Sequence, residues 1–422
     1  MIKTIDDFAV EGLRVLVRTD LNVPLDGDRV ADDGRIRASL PTLTGLMTRG
    51  ARVIVCAHLG RPGGKPDPRY SMAPVAARLG ELLGRPVELT ADTTGPAACA
   101  AVAAVRPGGL VMLENLRFNA AETSKDDEQR GAFADQLAEL ADLYVSDGFG
   151  AVHRKHASVY DVALRRPHAA GYLVQAEVDA LSRLTANIRR PYLVALGGAK
   201  VADKFDAFDS LITAADRILV GGAMAFPFLV ARGVKVGTSL LEASQVAAAA
   251  ELLRRAVPGQ IELPSDVVVA PEPGGSGTVV AADAIPVDQM ALDIGPQTAA
   301  RFASALFTAQ TVFWNGPMGM FEREPYAGGT RAMAQALTHG EAFTVIGGGD
   351  TGAAIRALGF AEGAFGYVST GGGASLEFIQ GKTLPGLAAL EASRRPHASP
   401  ARPSSAWPAV RASSSRRRAP PR

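Results

Sequence analysis

Short apolar runs recur along the chain at 14–17, 52–57, 110–113, 143–145, 192–196, 217–220, 267–270, 311–314 and 343–346. Between most of them apolar residues return every three or four positions, most clearly over 129–141, 205–214 and 331–337. The runs are nearly continuous rather than alternating, as expected of parallel strands covered on both faces, and the intervening spacing is helical. Repeated strand–helix units of this kind predict an α/β protein with largely parallel sheets. The rhythm breaks at 147–172, where polar and glycine-rich residues gather. A helix-compatible stretch over 172–187 then leads to the run at 192, and a domain boundary is expected inside it.

At 422 residues the chain is too long for a single core and reads as two domains. A content of 47% hydrophobic and 21% charged residues is that of a globular protein. The net charge of +1 conceals an asymmetry: residues 393–422 hold eight arginines and no acid, leaving a body of −7. A mildly acidic body argues against nucleic acid as a partner. The tail is rich in Ser, Pro, Ala and Arg, has no periodicity, and is expected to be disordered. Cys56 and Cys99 offer neither a disulfide framework nor metal-ligand spacing, and Cys56 lies in an apolar run that predicts an inert thiol. No signal pattern and no 18-residue apolar span is present, so a cytoplasmic protein without membrane contact is expected. Nothing in the pattern suggests an oligomer, and a monomer is the expectation.

Polar residues collect where the N-terminal runs end. Arg18, Asp20 and Asn22 follow the first; His58, Leu59, Gly60 and Arg61 the second; Arg117 the third; Asp147, His153, Arg154 and His156 the fourth; and Arg35 opens a helical segment. Ligands of open α/β sheets bind beyond the carboxyl ends of the strands. If these strands are neighbours, several arginine forks converge into a cup for a small, highly anionic molecule. Any one of these arginines alone is more simply a surface ion-pair partner.

The C-terminal half carries another pattern. Gly197-Gly198-Ala199-Lys200-Val201-Ala202-Asp203-Lys204 follows an apolar run and opens a helical segment, so the two lysines are expected to stack on its first turn. Gly347-Gly348-Gly349-Asp350-Thr351-Gly352 repeats the arrangement, with amides to cradle phosphates and Asp350 placed for Mg²⁺. Asn315 and Gly316 end another run, Glu322 follows, and Gly371-Gly372-Gly373 precedes a further short helix. Together these describe a nucleotide site. Gly347-x-Gly349-x-x-Gly352 also fits the dinucleotide fingerprint, but the acidic residue wanted about 20 positions later is replaced by Val-Ser-Thr-Gly-Gly-Gly. There is no Walker A sequence.

In order and spacing, from about Val10 to Leu390, the motifs resemble phosphoglycerate kinase. Those carrying the resemblance are 15–24, 58–62, 114–118, the octet 197–204, 313–317, 347–351 and 369–374. The resemblance implies reversible transfer of the acyl phosphate of 1,3-bisphosphoglycerate to Mg-ADP, giving 3-phosphoglycerate and ATP. It implies two doubly wound, Rossmann-like parallel-sheet domains: 1–171 for the glycerate substrate with 374–392 packing back onto it, a hinge helix over 172–187, and 188–373 for the nucleotide. By the same resemblance Asp20, Asn22, Arg35, His58, Leu59, Gly60, Arg61, Arg117 and Arg154 hold the glycerate substrate. Lys200, Lys204, Asn315, Glu322, Gly348, Gly349, Asp350 and Thr351 hold the nucleotide, with Asp350 on Mg²⁺; Arg35 and Lys200 face the transferring phosphoryl group. His58 is then a hydrogen-bond donor rather than a base. Two segments depart from the family's usual form. Gly148 and Ala151 stand where Ala and Thr are usual, and Ala223 and Pro227 where Gly and Thr are. Gly148 is expected to loosen its turn.

Overall fold

A computed structural model describes residues 2–392 apart from Asn187, and for Asp203 the backbone only. The tail expected to be disordered lies outside the described residues.

The N-terminal half runs β1 (Arg14–Thr19), a hairpin of β2 (Leu25–Asp26) and β3 (Arg29–Val30), α1 (Gly34–Thr48), β4 (Arg52–Cys56), α2 (Ala73–Leu83), β5 (Glu88–Leu89), α3 (Pro96–Ala104), β6 (Leu110–Met112), α4 (Asp127–Glu139), β7 (Leu143–Asp147) and β8 (His168–Ala170). Six of these strands form a parallel sheet ordered β5-β6-β4-β1-β7-β8. Every residue of β7 is buried, as a strand covered on both faces requires. Local chemistry sets the helix ends: Asp126 accepts from the Glu128 and Gln129 amides at the start of α4, and Gly84, at φ +65°, ends α2.

Helix α5 (Tyr172–Ser182) leads to the second half. It stops earlier than the spacing predicts: the Arg183, Leu184 and Thr185 amides turn to the carbonyls three residues back, tightening the chain out of the α-helix. There follow β9 (Tyr192–Leu196), α6 (Ala202–Ala214), β10 (Arg217–Val220), α7 (Ala225–Ala231), α8 (Val246–Arg255), β11 (Ile261–Glu262), β12 (Asp266–Ala270), β13 (Thr278–Ala281), β14 (Met290–Ile294), α9 (Pro296–Phe307), β15 (Thr311–Asn315), α10 (Gly328–His339), β16 (Phe343–Gly347), α11 (Gly349–Ala357), β17 (Tyr367–Val368), α12 (Gly373–Ile379) and α13 (Pro385–Glu391). A second six-stranded parallel sheet is ordered β11-β10-β9-β15-β16-β17.

The run at 267–270 does not join this parallel series. As β12 it pairs antiparallel with β13 and β14 in a separate three-stranded sheet. The link from β12 to β13 spans only 271–277 and holds Pro271, Pro273 and three glycines, too short for a parallel crossover. The chain finally returns to the first half: Phe378 of α12 packs on Phe149, and the Gly386 amide at α13 donates to the Val152 carbonyl at 2.8 Å.

Candidate functional site

In the first sheet β6, β4, β1 and β7 are consecutive neighbours, so their carboxyl ends open on one edge. The polar residues that follow them meet there. Arg35, at the start of α1, pairs with Asp20 at 2.9 Å and donates to the Asn22 carbonyl at 3.3 Å. The Asn22 side chain accepts the Gly60 amide at 2.8 Å, and Arg117 donates to the Gly60 carbonyl at 2.7 Å. Asn115 grips both sides of the buried Leu59 peptide, accepting its N–H at 3.3 Å and donating to its C=O at 2.7 Å. The segment His58–Arg61 is thus pinned from two strand ends.

The charges confirm the convergence. Burial lowers the Arg117 guanidinium to about 10, and the neighbouring charges of Arg154, Arg18 and Arg61 push the same way. Burial also lowers Arg154, against the pull of Asp20. His58 is held well below the usual imidazole range by burial and then by Arg18, Arg117 and Arg154. Burial lowers His153 to about 4 and His156 to about 3. Such a concentration of positive charge around neutral imidazoles is electrostatically suited to an anion. The buried Arg117 Nε finds no acceptor among the described residues, which fits a ligand that brings its own oxygens.

The second sheet presents glycines at its strand ends. Beyond β9 and β15, Gly197 and Gly316 lie so close that a Cβ on Gly316 would stand 2.1 Å from the Gly197 carbonyl oxygen and 2.4 Å from Lys204 Nζ. Gly316 takes φ +100°, which only glycine adopts readily. The two lysines do not stack as the sequence spacing suggests. Helix α6 begins at Ala202, so Lys200 precedes it and reaches Asp350 at 3.2 Å, largely exposed. Lys204 folds back instead, buried, donating to the carbonyls of Gly197 at 2.6 Å and Asn315 at 3.4 Å.

Beyond β16, Gly348 at φ +84° turns the chain into α11, leaving Gly349 and Asp350 exposed at the helix start. The Thr351 hydroxyl is engaged within the protein, donating to the Gly347 carbonyl at 2.7 Å and accepting the Gly316 amide at 2.6 Å. It ties the glycine loop to the end of β15. Glu322 is exposed on the connection between β15 and α10.

The two halves face each other across a cleft of about 1490 Å³ lined by Asn22 and Arg35 on one side and Gly348, Gly349 and Asp350 on the other. At its floor Glu177 of α5 accepts from Ser369 Oγ at 2.7 Å, Thr370 N at 2.7 Å and Thr370 Oγ1 at 3.0 Å. Asp32 and Arg356 bridge the halves at 2.7 Å. Neither contact was expected from the sequence, since Glu177 sits in an unremarkable helical pattern and its partners lie 192 and 193 residues away. Glu122 was likewise missed: its partner Ser158 is 36 positions distant and no local motif joins them.

Gly148 does not loosen its turn. It is buried, and a Cβ there would stand 2.8 Å from the Asp20 amide nitrogen and 2.9 Å from the Thr19 carbonyl carbon. The glycine allows the ends of β7 and β1 to touch.

A family model described as Phosphoglycerate kinase matches residues 5–382. A phosphoglycerate kinase of Streptomyces griseus is 60% identical over 402 residues, covering 92% of this chain and all of its own. One of Salinispora arenicola is 58% identical over 397 residues, covering 92% and 99%. Among solved structures, phosphoglycerate kinase from Coxiella burnetii aligns with a TM-score of 0.80 at 37% identity, covering 93% of this chain and 99% of that one. The Pyrococcus horikoshii enzyme aligns at 0.85 and 32% identity, covering 92% and 98%.

Proposed function

The chain belongs to the phosphoglycerate kinase family, and from that premise we propose how its residues divide the reaction. The reaction is reversible transfer of the acyl phosphate of 1,3-bisphosphoglycerate to ADP, giving 3-phosphoglycerate and ATP. The enzyme is a phosphotransferase with a carboxyl group as acceptor.

The observation that carries the reading is the cleft between the halves, with Asn22 and Arg35 on one wall and the glycine-rich helix start at 348–350 on the other. Phosphoryl transfer asks for alignment and neutralisation of charge, with little covalent work by the protein. We assign Asp20, Asn22, Arg35, His58 to Arg61, Arg117 and Arg154 to the glycerate substrate. The pinned segment presents the Leu59 and Gly60 main chain in a fixed position, and the lowered His58 is a neutral ring suited to donating a hydrogen bond rather than to accepting a proton. Lys200, Lys204, Asn315, Glu322 and Gly348 to Thr351 are assigned to the nucleotide. Of these, Lys204 and Thr351 act chiefly by holding the three strand ends together. Arg35 and Lys200 are the cations we place on the phosphoryl group in transit.

Among the described residues no three acidic, histidine or cysteine side chains gather into a metal cage. Mg²⁺ would therefore be held by the nucleotide phosphates together with Asp350, a single carboxylate being its usual protein contribution. It would supply further neutralisation of phosphate charge. Asp350 now pairs with Lys200, so both are at hand where the phosphates would lie.

We further divide the chain into a glycerate-binding domain of 1–171 with 374–392, a hinge over 172–187, and a nucleotide domain of 188–373. The Glu177 contacts and the return of α12 and α13 support that division. Among the described residues no helix is long and apolar enough to cross a membrane. A monomer acting in the cytoplasm completes the reading.

The test is ADP formation from Mg-ATP with and without 3-phosphoglycerate, in wild type beside Lys200→Ala and Asp350→Ala. Turnover that requires 3-phosphoglycerate and falls at least a hundredfold in both variants is expected. Retained turnover in either variant would remove that residue from the assignment.

A further inference from the structure

We propose that Glu122, acting through Ser158 and Arg18, is a positioning residue that fixes His58 as the tautomer carrying its proton on Nε2. The inference rests on the assignment of His58 to the glycerate substrate, but the tautomer itself can be measured without substrate.

The four side chains form one buried line. Arg18 Nε donates to Ser158 Oγ at 2.8 Å, and Arg18 Nη2 lies 3.0 Å from His58 Nδ1. Ser158 Oγ donates to Glu122 Oε1 at 2.6 Å, while the Ser158 amide donates to Glu122 Oε2 at 3.0 Å. Arg18 is 1% exposed, Ser158 and Glu122 0%, and His58 4%.

Each proton on this line has one place to be. A guanidinium has five donors and no acceptor, so all three Arg18 contacts, including that of Nη1 with the Thr19 carbonyl, must be donations. Ser158 Oγ therefore receives the Arg18 Nε proton and is left to give its own to Glu122. His58 Nδ1 must be bare to receive the Nη2 proton, so a neutral ring carries its hydrogen on Nε2. Neutrality is assured by burial and by the surrounding arginines, which hold the ring well below its ordinary range. An Nε2–H is a donor, and the carboxylate and phosphate oxygens that carry an anionic substrate's charge are acceptors. A ring with the opposite tautomer would present a lone pair to that substrate.

Glu122 orients the line. Without an acceptor for its hydroxyl proton, Ser158 has no reason to turn its lone pair to Arg18 Nε. The Nε edge of the guanidinium would then lose its partner, leaving the fork to turn about its contacts with the Thr19 carbonyl at Nη1 and His58 at Nη2. Burial pushes the Glu122 carboxyl up, whereas Arg18, both Ser158 donors and Arg117 pull it down. The two donors facing its two oxygens are those a carboxylate requires. His156 Nδ1, at 3.9 Å from Oε1, is the other titratable neighbour, and burial keeps it neutral with a value of about 3. A carboxylate buried in a ring of arginines is otherwise an odd choice for an anion site, since it opposes the ligand's charge. Its geometry accounts for it as the fixed end of a hydrogen-bond line.

The experiment uses full-length protein labelled with ¹⁵N-histidine and read by long-range ¹H–¹⁵N correlation, with His58 assigned from His58→Gln. Wild type is expected to show a single Nε2–H tautomer at His58. Glu122→Gln and Ser158→Ala are each expected to give mixed tautomers and to raise the KM for 3-phosphoglycerate about tenfold, the cost of one misdirected hydrogen bond, at unchanged KM for Mg-ATP. In a His58→Gln background the same substitutions are expected to add nothing. A pure Nε2–H signal retained in both variants would overturn the proposal, as would an Nδ1–H signal in wild type or an equal KM rise on the His58→Gln background. If Glu122→Gln does not fold, Ser158→Ala carries the whole comparison, since it removes one hydroxyl. Wild type that shows the Nε2–H tautomer yet lacks any response to 3-phosphoglycerate would sink the substrate assignment and leave the hydrogen-bond line standing.

Discussion

Single residues decide how closely the two strand ends at the substrate wall approach. Gly148 touches the backbone of Thr19 and Asp20, and Asp20 is the partner of Arg35. An added methyl cannot be accommodated at 2.8 Å without moving main chain, and overpacking of this kind costs about 1–3 kcal/mol. Gly148→Ala is therefore expected to lower the unfolding free energy by that amount, read as a lower urea midpoint at unchanged slope, and to raise the KM for 3-phosphoglycerate more than that for ATP. An unchanged midpoint would mean that β1 and β7 can part freely. The sequence pointed to these residues with uneven clarity. Arginines after strand ends were legible because a strand's carboxyl end has a known fate in an open sheet. The fates of Lys200 and Lys204 were not, because a helix beginning at Ala202 sends one lysine to Asp350 and the other back to Gly197. The role of Glu122 was invisible, since it depends on Ser158 coming from a distant turn.

Elements meet in this protein at buried carboxyl groups. Asp147, at the end of β7, accepts the Leu173 amide at the start of α5 at 3.0 Å. Asp293, in β14, accepts the Gly329 amide of α10 at 2.7 Å, and Glu177 joins α5 to the segment after β17. Burial pushes Asp147 up to about 8 and Glu177 and Asp293 up to about 7, each against hydrogen bonds that favour the charged form. A carboxyl raised in the folded state favours folding below the unfolded value near 4 and loses that contribution as pH rises through the folded value. His58, His153 and His156 work in the opposite sense, being lowered when folded, and offset the carboxyls only where unfolded histidine is protonated, below about pH 6.5. Between pH 7 and 8 the carboxyls prevail. The unfolding free energy is expected to fall there by roughly 1 kcal/mol, close to one proton's worth per pH unit. Urea melts across pH 6 to 9 measure it. In Asp147→Asn the slope should shrink, and an unchanged slope would remove Asp147 as its source. At this scale the long strands were legible to within one or two residues, because a continuous apolar run of four or five has few other uses. The two-residue strands β5, β11 and β17 carry too few positions for any period, and β12 betrayed its antiparallel pairing only through the shortness of the link after it.

For the whole molecule the governing fact is that the arginine wall and the glycine-rich helix start belong to different sheets. Reactants held one on each wall come together only if the sheets approach. In the hinge proposed above, the segments joining the halves are α5, with its Glu177 contacts, and the returning α12 and α13. The Asp32–Arg356 pair spans the cleft, but both side chains are more than a third exposed, and such pairs are worth at most about 1 kcal/mol. It cannot by itself hold the cleft shut. The larger drive must come from the ligands, whose phosphates bring to each wall the charge that the facing cations lack. Small-angle scattering is therefore expected to show compaction only when 3-phosphoglycerate and Mg-ATP are both present, with little change for either alone. Asp32→Ala should preserve that compaction and lower turnover by no more than about fivefold, the factor corresponding to the pair's modest worth. Identical scattering in the free and doubly bound states would rule out hinge closure. Loss of compaction in Asp32→Ala would instead give the bridge a larger share of the closing energy than its exposure allows.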